Sequence, residues 1–212
     1  MEQKSLILIG GGGHCKACID VVEAGNQYKI VGILDHPDLK GSYILGYQII
    51  GSDDDIQIYK ALGCHFLVTV GQIKSTVIRT EIIKRLEQHT ATVATIISPN
   101  AYVSKHAIIG RGTVVMHGVN VNAGVQIGEN CILNTNCNIE HDTVVGSNTH
   151  ISTHAVVNGG CNIGNEVFIG SNATVLNQIV VTDNTIIGAT ALVRENIKSA
   201  GTYAGNPLMK IC

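Results

Sequence analysis

Cut into sixes from Ala101, the chain repeats itself as far as Asn196, as in TVVMHG VNVNAG VQIGEN CILNTN CNIEHD. The third place is Val, Ile or Leu in all sixteen hexads, from Val103 through Ile139 to Val193. The first place is small or β-branched, and the last three are rich in Gly, Asn, Asp, Ser and His. A period of six matches neither the 3.6 of a helix nor the plain alternation of a strand, so it marks a repeat architecture. Each hexad reads as a short strand and a turn, with one aliphatic side chain pointing into a narrow core. Three strands then make one triangular coil of a parallel β-helix, and the 96 residues give about five coils, roughly 25 Å of prism at the spacing of adjacent strands. Gly110, Gly128, Gly146 and Gly164 recur at intervals of 18, as do Gly170 and Gly188. Such glycines should stack at one corner, and the expectation is that the turn there needs positive φ.

The first 97 residues follow a different rule. Ser5 to Ile9 is an apolar run that ends at Gly10-Gly11-Gly12-Gly13-His14. A helical segment follows over about 15–24, with Cys18, Ile19 and Val22 on one face, and Tyr28 to Leu34 reads as a second strand closing at Asp35. Strand, glycine turn, helix, strand and acid form a mononucleotide-binding pattern. The glycine loop alone is equally compatible with a tight β–α connection. The acid improves the case, because that position reads a nucleoside's polar edge. Further on, 46–51 reads as a hydrophobic connection and Ser52-Asp53-Asp54-Asp55 as a capped helix start in preference to a metal site. His65 to Val70 reads as a strand, Gly71 to about Gln88 as a helix, and Thr92 to Ile97 as the last strand before Ser98-Pro99. This predicts a small Rossmann-like parallel sheet over 1–97 and the repeat domain with a C-terminal tail over 98–212.

Composition excludes several classes of function. No Lys or Arg lies between Gly112 and Val193, so the prism lacks the basic footprint a nucleic-acid binder needs. No apolar run approaches a membrane span and no cleavable leader is visible, so the expectation is a cytoplasmic protein without membrane insertion. Seven cysteines (15, 18, 64, 131, 137, 161 and 212) are an odd number at low density, which suits a reducing compartment. Cys131, Cys137 and Cys161 occupy first places of hexads and read as small hydrophobes. Cys15 and Cys18 form a lone CxxC without a second pair.

On such a scaffold, chemistry should reside in polar groups at the turns. His117, His141, His150 and His154 qualify, and His141 stands out within Asn134-Thr135-Asn136-Cys137-Asn138-Ile139-Glu140-His141-Asp142. An imidazole beside a carboxylate is a constellation suited to a general base, since the carboxylate fixes the tautomer. A solitary histidine there would read as an ordinary surface turn.

The Gly10–His14 loop, Asp35, the hexads, the Asn134–Asp142 segment, His150 and Gly205-Asn206-Pro207 together resemble the hexapeptide sugar acyltransferases. The likeness is to the group that N-acetylates nucleotide-linked 4-amino sugars, with sialic acid O-acyltransferases as relatives. It covers essentially the whole chain and implies a left-handed β-helix, acetyl-CoA as co-substrate, and a homotrimer with interfacial active sites. It implies His141 as the base that deprotonates the attacking amine, with Asp142 assisting where the family often has Glu. It assigns His150, Gly159 and Ser171 to the coenzyme. It assigns Gly12, Gly13, His14, Asp35, His36, Gly71 and Asn134 to the nucleotide sugar, expected to be UDP-linked, with His36 standing where a second acid can occur. No cysteine is suitably placed for an acyl-enzyme, so direct transfer in a ternary complex is expected. Arg194, Lys198 and Lys210 are the cations available near the C-terminal end for the coenzyme's 3′-phosphate. Two rivals remain open: O-acetylation of sialic acid or a related nonulosonic acid, and a carbonic-anhydrase-like zinc β-helix with three histidines gathered across a trimer interface. A non-catalytic assembly scaffold is a third.

Overall fold

A computed structural model describes residues 3–205 and 207–211. Asn206 of the Gly205-Asn206-Pro207 segment, Cys212, Met1 and Glu2 lie outside the described residues. The chain divides into two compact units, Met1–Pro99 and Asn100–Cys212.

In the first unit, β1 (Lys4–Ile9), α1 (Gly13–Ala24) and β2 (Tyr28–Leu34) are followed by a hairpin of β3 (Tyr43–Ile44) and β4 (Tyr47–Gly51). Then come a 3-10 turn (Asp53–Asp55), α2 (Ile56–Ala61), β5 (His65–Val68) and α3 (Val77–Gln88). The sheet order is β3-β4-β2-β1-β5. All pairings are parallel except that of β3 with β4, so the parallel sheet expected from the sequence carries one antiparallel edge. Leu6, Ile7 and Leu8 of β1 are fully buried, as a central strand covered on both faces requires. Cys15, Cys18, Ile19 and Val22 of α1 turn inward, the period-3.6 stripe that docks the helix on the sheet.

Three local expectations are corrected. The segment 46–51 is a strand and not a connection, because Gly46 at φ 87° closes a tight turn that folds Tyr47–Gly51 back on β3. Helix α3 begins at Val77, leaving 71–76 as a loop at the end of the sheet. The stretch 92–97 makes only a bridge from Val93 to Phe66 before the two-residue strand Ile96–Ile97. The predicted cap at Ser52 is present: its side chain receives the Asp54 N–H, and the Ser52 N–H reaches Asp55 Oδ2 at 2.9 Å.

The second unit is the prism. Successive hexads occupy three faces, and the hexad strands pair in parallel at an interval of 18 residues, Ile132 with His150 and Asn138 with Val156. The first face runs through Val114, Ile132, His150 and Phe168. The second runs through Asn120, Asn138 and Val156, and the third through Gln126, Val144 and Asn162. From Val115 to Val193 every third-place aliphatic is buried; Val103 and Ile109, in the first coil, are partly buried. First places from Thr113 to Ala191 are buried too, and their polar atoms close internal bonds. Thr113 Oγ1 donates to the Gly128 carbonyl at 2.9 Å, and Cys131 Sγ to that of Gly146 at 3.2 Å. The first-place cysteines are thus weak donors as well as small apolar fillers.

The recurring glycines have a different cause from the one expected. Gly110, Gly128, Gly146 and Gly164 are not at positive φ. A Cβ on Gly128, Gly146 or Gly164 would lie 2.6 Å from the backbone nitrogen of the turn stacked above, so close approach demands glycine there. Positive φ falls instead on the sixth place of every hexad from Gly112 to Thr190, filled mostly by Gly, Asn or Asp, the residues that tolerate it.

Candidate active site

Each unit presents a candidate site, described separately. In the first, connections leave β1 toward β2 on one side and β5 on the other, so the crevice at the C-terminal ends of these strands is the topological switch point. A cavity of about 320 Å³ lies there, lined by Gly10, Asp35, His36, Ser52, Asp53, Asp54, Val70 and Arg85 over an apolar floor of Ile9, Ile78 and Ile82. Asp35 is fixed by two backbone donors, Gly11 N–H to Oδ2 at 2.5 Å and His36 N–H to Oδ1 at 2.6 Å. Gly12 and Gly13 open α1 without a side-chain cap, and a Cβ on either would meet nothing within 4 Å. An uncapped helix start with open space before it suits a phosphate. His14 lies against Gly71, where a Cβ would be 3.5 Å from its own Cβ, and its Nε2 is 3.5 Å from Cys18 Sγ. Asp35 and His36 therefore reach the cavity wall, while Gly12, Gly13, His14 and Gly71 stand at the adjoining glycine turn.

Three contributors escaped sequence reasoning. Thr69 is buried and its hydroxyl donates to the carbonyls of Ile9 and Gly10, at 3.0 and 2.6 Å, tying β5 to the glycine loop. Arg79 is 1% exposed, and its Nη1 donates to the carbonyls of Val68 and Val70 at 2.7 and 2.9 Å, anchoring the loop before α3. Asp53, read only as part of a cap, lines the cavity. Burial pushes its carboxyl up, with Asp35 and Asp54 adding to the shift against the pull of Arg85. No periodic signal marks any of the three.

In the prism, His141 and Asp142 occupy the turn between the second and third faces. Asp142 is at φ 60°, a conformation its short side chain tolerates. His141 Nδ1 and Asp142 Oδ2 are 2.9 Å apart, so the shorter acid spans the distance. The imidazole is 63% exposed. One coil below lies Ala123-Gly124 and one coil above Gly159-Gly160, so the pair sits in a notch cut by small residues. The other assigned residues stand elsewhere on the prism. Asn134 and Ser171 are at the corner between the first and second faces, and His150 is on the first face. His150 is 5% exposed, with Nε2 3.1 Å from Asn134 Nδ2 and its ring edge-on to Phe168 at 5.1 Å. Ser171 Oγ is 3.0 Å from Ser152 Oγ. One chain thus gathers His141, Asp142 and Gly159, and separately Asn134 and His150.

The corner carrying His141 continues to the C-terminal end. His141 and Glu195 are 54 residues apart, three coils, or roughly 14 Å at the strand spacing. There a cavity of about 520 Å³ is lined by Arg194, Lys198, Tyr203, Pro207 and Lys210, so the three cations named from the sequence share one pocket. Burial raises Cys15 to about 11 and Cys18 to about 12, which keeps the CxxC thiols protonated and unreactive. Among the described residues, no three His, Cys, Asp or Glu side chains within the chain converge as metal ligands, and no helix is long and apolar enough to cross a membrane.

Residues 5–86 match the PglD N-terminal domain family, and 124–159 and 160–195 match the bacterial transferase hexapeptide (six repeats). A point mutant of perosamine N-acetyltransferase from Caulobacter crescentus, solved with CoA and GDP-perosamine, is 27% identical. The match covers 98% of this chain and 97% of that one, with a TM-score of 0.92. The acetyltransferase domain of PglB from Neisseria gonorrhoeae is 30% identical over 99% and 100%, with a TM-score of 0.90. UDP-N-acetylbacillosamine N-acetyltransferase of Bacillus subtilis is 30% identical over 116 residues, 53% of this chain, and the match spans about half, 51%, of that protein. The two solved neighbours share the Rossmann-like domain followed by a left-handed β-helix.

Proposed function

Because the chain belongs to the hexapeptide-repeat sugar N-acetyltransferases with a PglD-type N-terminal domain, we propose that it acetylates the 4-amino group of a nucleotide-linked amino-deoxy sugar with acetyl-CoA. The observation that carries the mechanism is the 2.9 Å contact between His141 and Asp142. With Nδ1 donating to the carboxylate, Nε2 is the basic nitrogen. The neutral sugar amine attacks the thioester carbonyl, His141 Nε2 takes the amine proton, the C–S bond breaks, and the departing CoA thiolate takes that proton from the imidazolium to leave as the thiol, which restores the neutral base. Donors near the developing oxyanion, with backbone N–H groups at Gly159 and Ser171 as candidates, would stabilise it.

The coenzyme is placed along the His141 corner, its thioester at the notch and its 3′-phosphate at Arg194, Lys198 and Lys210. The roughly 14 Å between them suits an extended pantetheine arm. The thiols give no support to an acyl-enzyme: all six described cysteines are buried, so direct transfer in a ternary complex is the reading. The nucleotide is placed in the crevice of the first unit, its phosphates at Gly12, Gly13 and His14 and its base toward Asp35 and His36. Asn134, His150 and Ser171 stand at another part of the prism from His141, which supports a homotrimer in which one copy completes another's site. Both co-substrates being metabolites of the cytoplasm, the protein is placed there. We take the base to be uracil, as in the Bacillus relative's substrate; the GDP-perosamine complex of the Caulobacter neighbour supports guanine as the second reading.

The test is release of CoA thiol from acetyl-CoA with UDP- and GDP-linked 4-amino-6-deoxy sugars, set against free and CMP-activated sialic acids. Turnover on an amino sugar that His141→Ala abolishes establishes the reaction and names the base. Turnover on sialic acids alone would overturn the acceptor.

A further inference from the structure

The His141 notch contains a feature that the base assignment does not explain. Gly159 is buried and stands one coil above His141, and a Cβ built on it would lie 2.7 Å from His141 Nε2 and 2.8 Å from Cε1. No side chain fits there while the imidazole holds its position. Gly124, one coil below, stands in the same relation to the partner: a Cβ would lie 2.5 Å from Asp142 Oδ1. The backbone offers no escape, because the stacked turns are bonded to one another. Asp142 N–H donates to the Ala123 carbonyl at 3.1 Å, Gly160 N–H to that of His141 at 2.9 Å, and Gln178 N–H to that of Gly159 at 2.9 Å.

We propose that Gly159 is a positioning residue for the acetyl transfer: by lacking a side chain it lets the His141 ring lie over the turn above, where Asp142 Oδ2 reaches Nδ1 and Nε2 points at the incoming amine. This rests on His141 being the base. It adds to the backbone contact with the coenzyme that the family resemblance gives Gly159, and the two roles separate cleanly. A coenzyme contact through the backbone survives Gly159→Ala, whereas ring placement does not. The ring is the far end of an exposed side chain, so an added methyl group displaces it outward without disturbing the coil. Gly159 is not at positive φ, so alanine there brings no backbone strain. Gly124 is at φ 76°, which would mix strain with displacement and makes Gly159 the better probe.

The experiment is steady-state kinetics of Gly159→Ala, His141→Ala and the double variant on the amino sugar that the wild-type enzyme turns over, with thermal unfolding of each. Displacing a base by about 1 Å costs on the order of 100-fold. The expected result for Gly159→Ala is a kcat lowered by that order, an unchanged KM for acetyl-CoA and an unchanged midpoint. In the His141→Ala background the same substitution should cost nothing further, because a residue acting through another has no effect once that other is gone. An intact kcat in Gly159→Ala would overturn the proposal. So would a raised acetyl-CoA KM with kcat intact, or a loss that persists undiminished in the double variant, since either means the methyl group meets the coenzyme and not the ring. Full activity in His141→Ala would instead remove the base assignment itself, a separate failure visible in its own arm.

Discussion

The two units solve the same problem, fixing polar groups against an apolar core, by opposite means. In the prism, each candidate site side chain sits on a lattice of period six and eighteen. His141 is held by neighbours at 123–124 and 159–160, which are its own position one coil down and one coil up. In the nucleotide-type unit, Asp35, Thr69 and Arg79 come from three different elements, and each bonds the backbone of a segment distant in sequence, at Gly11, Ile9 and Val68. A repeat distributes support among many equivalent bonds. A crevice concentrates it in a few that have no substitute.

The largest expected effect tests whether the chemistry belongs to the prism at all. His141→Ala should lower kcat by about 10²–10⁴-fold, the range of a lost general base, with the nucleotide-sugar KM little changed. A loss confined to KM would move the role of His141 from chemistry to binding.

Stability should divide along the same line. Leu133→Ala, in the middle of the third-place column, should cost about 2–5 kcal/mol by urea unfolding, the range for emptying a buried aliphatic site. Arg79→Met removes the donor to two carbonyls at the end of β5 and should cost about 2–3 kcal/mol. Only Arg79→Met should raise the nucleotide-sugar KM, because it loosens the loop at the crevice. Equal KM effects from both variants would mean that the two units do not carry separate tasks.

What the sequence disclosed follows the same division. The third-place column was readable because sixteen positions repeat one requirement, and His141 because an acid follows it in a turn whose place in the coil the period defines. Thr69 and Arg79 were not readable, since nothing local distinguishes a threonine or arginine that will reach a carbonyl of another strand. The hairpin at 43–51 escaped because a five-residue apolar stretch has no period of its own to show which way it pairs. Periodicity also misled once: the 18-residue glycines suggested positive φ, but two columns recur at that interval, and only backbone geometry separates close approach from left-handed turn.

A smaller effect belongs to Asp35. Its two oxygens each accept a backbone N–H, from Gly11 and His36, and an asparagine can present only one oxygen. Asp35→Asn should raise the nucleotide-sugar KM about tenfold, near 1.4 kcal/mol, with kcat nearly unchanged. The acetyl-CoA KM is the control; its movement would place coenzyme at the crevice.

The smallest effect returns to the prism and asks whether its irregular residues obey the lattice too. Thr190 holds the sixth-place conformation at φ 60° although it is β-branched, a residue type ill suited to it. It is exposed, and among the described residues its hydroxyl bonds only to the carbonyl of Ala189 in the same turn. Thr190→Gly relieves a left-handed penalty of about 1–2 kcal/mol and adds about 0.5–1 kcal/mol of unfolded-state freedom. The net expectation is a gain of about 0.5–1 kcal/mol in urea unfolding, with Thr190→Asn between the two. Destabilisation by glycine would mean that Thr190 is held by something other than its place in the repeat. A gain would show that strain in the prism is as periodic as its core, in contrast to the crevice, where each residue answers to its own neighbours.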